Sequence, residues 1–148
     1  MNKPALVCDT SPLLYLGRLG QAQLLPLLFQ PVYMPEQVIM ELATGRLLMP
    51  DTIDPTKLPW ITPVAVTDAE IASLPLHRLG LGECAVLGFA HAHAACWVGL
   101  DDRQARLLAQ SLGLGLSACS ESCSGRSVRD SFQTFAYCWI QRAIKVFG

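Results

Sequence analysis

The stretch WVGLDDRQAR, Trp97 to Arg106, sets an apolar run that reads as a buried strand directly against two adjacent carboxylates. Like charges at one strand end repel, and partial burial makes each costlier, so the pair destabilises the fold unless a cation sits there. A missing cation, shared with other acids of the chain, would relieve that cost.

The chain around this stretch supplies a parallel α/β pattern. Ala5–Cys8 is a short apolar β-type run ending at Asp9, followed by TSPLLYLGRLG, a helix with Ser11 as N-cap and Pro12 at its first position. QAQLLPLLFQ is a second short helix interrupted by Pro26, PVYM a second strand, and PEQVIMELAT a helix beginning at Pro35 and closing at Gly45. Prolines 50, 55, 59 and 63 mark residues 46–63 as loop. TDAE, residues 67–70, is a capping box. LGECAVLGFAHAHAA is expected to be the longest helix, CWVGL the third strand, DRQARLLAQSLG the next helix and LGLS a fourth strand. Strands alternating with helices at this spacing predict a three-layer α/β/α domain around a mainly parallel sheet of four to five strands. No internal repeat is present.

Bulk properties limit the function. The 148 residues suit one domain. At 51% hydrophobic and 16% charged, the chain is apolar enough to suggest that part of its surface meets a partner. A net charge of −1 and a pI near 6.3 offer no general attraction for nucleic acid or anionic membrane, so a polyanion requires a local basic patch. The run from Cys84 to Leu100 is short for a membrane span and reads as a buried helix followed by a buried strand. The N-terminal residues lack a signal-peptide pattern, and the expected location is cytoplasmic. The six cysteines are then expected as free thiols. Cys119 and Cys123 have no second pair of zinc type beside them.

In parallel sheets ligands lie outside the carboxyl ends of the strands. This geometry is expected to gather Asp9 after the first strand, Asp101 and Asp102 after the third, and Glu83 in the first turn of the intervening helix. Glu41 falls one turn before the end of its helix, where a negative charge opposes the dipole. Singly each acid has a plain explanation as loop residue, solvated face or cap. Together they form a hard oxygen site suited to Mg²⁺ or Mn²⁺, with no paired His or Cys to favour zinc. His91 and His93, two apart on a helix, point to different faces and read as structural. Arg18, Arg46, Arg103 and Arg106 are the candidate phosphate contacts, although Arg103 and Arg106 at this spacing more often bridge local carboxylates.

The blocks VCDTSPLLYL, MPEQVIMEL, LGLGECAVLGFA and WVGLDDRQARLLAQSLGL, in this order over residues 4 to about 117, resemble the PIN-domain family, in particular the VapC-like toxin ribonucleases. The resemblance implies a divalent-metal-dependent endoribonuclease with Asp9, Glu41, Glu83 and Asp102 as catalytic metal-binding acids, and Asp101 as neighbour or substitute ligand. Thr10 and Ser11 are implied as supporting polar residues, and Arg103 and Arg106 are candidates for binding RNA. It further implies RNA as substrate, an antitoxin protein as partner and pairing of two copies. The mechanism implied is hydrolysis of the phosphodiester by a metal-activated water, with no covalent intermediate.

Residues 118–148 depart from that family, with dense serine and half of the cysteines. We read a frameshift near Ser117: in another frame, with suitable codons, the same nucleotides can encode a family-like ending. If the tail is native, the sheet is expected to lack an edge strand and its covering helix, unless SFQTFAYCWIQRAIKVF forms an amphipathic helix over the gap, and that loss favours a catalytically impaired PIN-like scaffold that binds RNA or a protein partner. A dehalogenase-type phosphatase would need an Asp where Ser11 stands. A receiver domain would need a strand-end Lys that Lys3, Lys57 and Lys145 do not supply.

Overall fold

A computed structural model describes residues 3–74, 79–93 and 96–116. His77, Cys119, Cys123 and the atypical tail lie outside the described residues, as does the frameshift expectation. The elements are β1 Ala5–Cys8, α1 Thr10–Arg18, α2 Leu24–Leu28, β2 Val32–Pro35 and α3 Glu36–Leu48. A short 3₁₀ turn, Pro55–Lys57, precedes β3 Ile61–Val64, α4 Asp68–Ala72, α5 Leu81–Ala92, β4 Cys96–Gly99, α6 Arg103–Ser111 and β5 Gly115–Leu116.

Among the described residues five parallel strands run in the order β3-β2-β1-β4-β5. The chain winds outward through β2 and β3, then returns to the opposite side of β1. Strand order thus reverses between β1 and β4, and a crevice at such a switch point is where open α/β sheets bind ligands. Their pairing aligns Cys8 with Gly99, and the Asp9 N–H donates to the Gly99 carbonyl at 3.0 Å. The register therefore brings the residue after β1 level with the turn that carries Asp101 and Asp102.

Helices cover the sheet to give a three-layer α/β/α fold, with α5 packed on β1, β2 and β4. Leu6, Val7, Val32, Met34 and Val98 fill the sheet interior, and Ala85 to Ala90 of α5 are buried against it. Burial on both faces explains why β1 and β4 read as continuous apolar runs rather than alternating ones. α5 also approaches α4 closely: an added Cβ at Gly88 would lie 3.1 Å from the Glu70 carbonyl oxygen.

Several boundaries differ from the sequence reading. α1 begins at Thr10, with Asp9 rather than Ser11 at the N-cap position. Pro12 is third in the helix, still among the first N–H groups that no intrahelical carbonyl accepts, so its missing donor costs nothing there. Pro26 sits at the same place in α2, beginning a helix rather than interrupting one. α3 starts at Glu36 and continues through Gly45 to Leu48, which makes it, at 13 residues, longer than the 12-residue α5. The proline-rich segment expected as loop holds the end of α3, the 3₁₀ turn and the first three residues of β3. Among the described residues this strand lies at the sheet edge, where Pro63 is tolerated because one side of the backbone has no strand to bond. The Arg46 guanidinium meets Asp54 at 2.6 Å and ties the last turn of α3 to that segment.

Candidate functional site

Asp9 is the buried acid of the described residues, 5% exposed at the carboxyl end of the central strand. Its Oδ1 accepts the Thr10 hydroxyl at 3.2 Å. Burial, with the negative charges of Glu83 and Glu41 added, pushes its carboxyl pKa up to about 6 despite the opposing hydrogen bonds from Thr10. The carboxylates are thus within electrostatic reach, and the charge on Asp9 is uncompensated.

Glu83 occupies the first turn of α5, as expected, and its Oε2 accepts the Gly80 N–H at 3.0 Å. Burial raises its pKa, and the charges of Asp102, Glu41 and Asp101 raise it further. Glu41 lies mid-way along α3, two turns from its end, because the helix extends past Gly45. The expected conflict with the dipole is absent. Instead its Oε1 accepts the Gly82 N–H at 2.9 Å, so the carboxylate faces the positive, N-terminal end of α5.

The adjacent acids Asp101 and Asp102 have different partners. Asp102 caps α6, its Oδ1 accepting the Ala105 N–H at 2.9 Å. Asp101 Oδ2 accepts the Tyr15 hydroxyl of α1 at 3.0 Å. Burial and the Asp101 charge push the Tyr15 phenol up to about 12, so it remains a donor. The Ser11 hydroxyl, expected to support the site directly, bonds to Tyr15. Tyr15 and Gly82 were not anticipated from sequence. The i, i+4 spacing of Ser11 and Tyr15 on one amphipathic helix is a weak signal for the first, and a glycine immediately before a helix-first-turn acid for the second.

All five acids therefore face one end of the sheet. Glu41, Glu83, Asp101 and Asp102 each retain one oxygen without a hydrogen-bond partner among the described residues. The donor set is oxygen only and anionic, which matches a hard divalent cation. Among the described residues, however, no three His, Cys, Asp or Glu side chains stand close enough to hold a metal ion as placed. The fit is one of charge and donor chemistry, with the acids contributed by the end of β1, by α3, by the first turn of α5 and by the turn between β4 and α6.

The cations differ from expectation. Arg46 is engaged with Asp54 and is not available to a phosphate in this arrangement. Arg103 is exposed and Arg106 half-buried on α6, and neither pairs with a carboxylate among the described residues. His93 stacks on Phe89 with ring centroids 4.2 Å apart, its Nδ1 3.0 Å from the Phe89 carbonyl, in the structural role expected of it. Cys8, Cys84 and Cys96 are buried free thiols. No helix among the described residues is long and apolar enough to cross a membrane.

Comparison with known proteins adds one positive finding. No curated protein matches the chain. A family model described as PIN domain matches residues 5–118, a span that includes all five strands and all five acids. PIN domains are generally nucleases, and the strand-end acids occupy the switch point of such a fold. The chain belongs to the PIN-domain family.

Proposed function

We propose that this PIN domain is a divalent-metal-dependent endoribonuclease of VapC-like type, the toxin of a toxin–antitoxin pair acting in the cytoplasm. The observation that carries the reading is the buried Asp9 carboxylate, raised to about 6 by burial and by the neighbouring charges of Glu83 and Glu41. Such an arrangement is unfavourable in isolation and becomes favourable around a cation.

Asp9, Glu41, Glu83 and either or both of Asp101 and Asp102 would hold Mg²⁺ or Mn²⁺, with Thr10 orienting Asp9. When bound, such an ion lowers the pKa of a water and neutralises charge that develops on a phosphate. The anchoring bonds from Gly80, Gly82, Tyr15 and Ala105 fix the carboxylates before substrate arrives. Arg103 and Arg106, free of carboxylate partners among the described residues, contact phosphates at the start of α6. Single-stranded RNA is the substrate, since its backbone can enter a cleft without base-pair disruption. An antitoxin covers the acidic cleft, and exposed apolar side chains such as Leu47 and Leu48 support pairing of two copies.

The test is Mn²⁺-dependent cleavage of a single-stranded RNA pool, lost at least 100-fold in Asp9→Asn. The second reading, a scaffold that binds RNA or a protein partner without cutting, is favoured by the lack of a close-set group of three acids among the described residues. RNA binding with no Mn²⁺-dependent cleavage by the wild-type chain would select it.

A further inference from the structure

The first turn of α5 carries a close approach that the metal reading alone does not require. Gly82 is buried, and the three atoms nearest to a Cβ built on it all belong to the Glu41 carboxylate: Oε2 at 2.7 Å, Cδ at 3.0 Å and Oε1 at 3.0 Å. A side chain at position 82 and the observed placement of Glu41 are therefore mutually exclusive. The same residue also donates the N–H that Glu41 Oε1 accepts at 2.9 Å. Glu41 and Gly82 are 41 residues apart, so this contact is tertiary and joins α3 to α5 at the site.

We infer that Gly82 is a positioning residue of the acidic site, which holds the Glu41 carboxylate against the start of α5 by donating its N–H and by having no side chain. The inference rests on the metal-dependent reading proposed above. Glycine inside a helix costs conformational entropy that alanine does not, so its presence at this position calls for a local reason. Its backbone has no positive φ that would demand glycine, since those occur at Gly20 and Gly113. What an alanine would strike is the mobile end of a glutamate rather than a backbone atom. The substitution is accordingly accommodated by Glu41 swinging away, while α5 keeps its helix and its packing. The consequence is a separation of two properties that ordinarily fall together: the fold persists and the site loses one of its acids.

The experiment is a cycle of wild type, Gly82→Ala, Glu41→Ala and the double variant, each full length, read by Mn²⁺ titration calorimetry and by thermal unfolding without metal. Gly82→Ala is expected to weaken Mn²⁺ binding 10- to 100-fold, the range typical for residues that orient metal ligands, with a Tm equal to or above that of wild type. In the Glu41→Ala background the same substitution is expected to change Mn²⁺ affinity less than twofold, because its target is gone. A crystal structure of Gly82→Ala should show the Glu41 carboxylate beyond hydrogen-bond distance of the residue 82 nitrogen. Unchanged Mn²⁺ affinity in Gly82→Ala, or an equal loss in both backgrounds, or a carboxylate still bonded to that nitrogen, overturns the inference while leaving the metal reading intact. A wild-type chain that binds no Mn²⁺ overturns both.

Discussion

The Tyr15 hydroxyl donates to Asp101 Oδ2 at 3.0 Å, across 86 residues of sequence, and so fastens α1 to the turn after β4. Of two adjacent acids, one is held by a side chain and the other caps a helix, which keeps their charges turned to different partners. Tyr15→Phe removes the donor and leaves a half-buried carboxylate to find water. Urea denaturation should show a loss of about 1 kcal/mol, the usual net worth of such a bond. The variant should retain its fold by circular dichroism and show a several-fold loss of RNA cleavage.

Asp9 makes stability depend on pH in a direction opposite to that of most acids. Its folded pKa, about 6, lies above the ordinary value of 3.8, so the folded chain binds the proton more tightly than the unfolded chain. The resulting stability is fully present below pH 3.8 and is lost as pH rises through 6. Two pKa units correspond to about 3 kcal/mol. In metal-free solution Asp9→Asn, which mimics the protonated form, should match wild type near pH 4 and be more stable by up to about 3 kcal/mol at pH 8. Chemical denaturation at the two pH values measures this difference. Equal stability at pH 8 would show that the charge on Asp9 is not under strain.

Asp102 combines a cap with a charge, and two substitutions separate them. Asp102→Ala removes the acceptor for the Ala105 N–H and should destabilise by about 1 kcal/mol. Asp102→Ser keeps a capping oxygen and should lose no more than a few tenths of that, yet both variants should lose Mn²⁺ affinity and RNA cleavage to a similar degree. Thermal unfolding reads the first effect and calorimetry the second.

Gly88 lies where α5 passes against the backbone of α4. A Cβ there would sit 3.1 Å from the Glu70 backbone oxygen, and neither helix has a flexible end at that point to yield. Gly88→Ala is therefore expected to lower stability by about 1–3 kcal/mol through overpacking, in contrast to Gly82→Ala, where the opposing atoms belong to a movable side chain.

The sequence made the architecture legible where burial is continuous and the caps are chemical. ALVC and CWVG are strands because the parallel sheet buries both of their faces, and Thr67 with Glu70 closes the expected capping box, the Glu70 nitrogen donating to the Thr67 hydroxyl at 3.2 Å. β3 is hard to read because the prolines before it and Pro63 within it signal loop, and its edge position is what makes Pro63 tolerable. Only the resemblance points to Glu41, because glycine at position 45 signals a helix end there and so sets this acid in the last turn, whereas α3 runs on to Leu48. What local pattern cannot show is which acid meets which donor. Gly82 to Glu41 and Tyr15 to Asp101 are contacts between distant segments, fixed only when β1 and β4 pair in register.

The central claim is that acids from separate elements share a divalent cation, and the direct measurement is thermal unfolding of wild type and Asp9→Asn at pH 8, with and without millimolar Mn²⁺. Without metal the variant should melt higher, as the buried charge is gone. With Mn²⁺ wild type should rise by several degrees and the variant by much less, reducing or reversing the order. Equal response of both proteins to Mn²⁺, together with a variant that melts lower in its absence, would contradict the account.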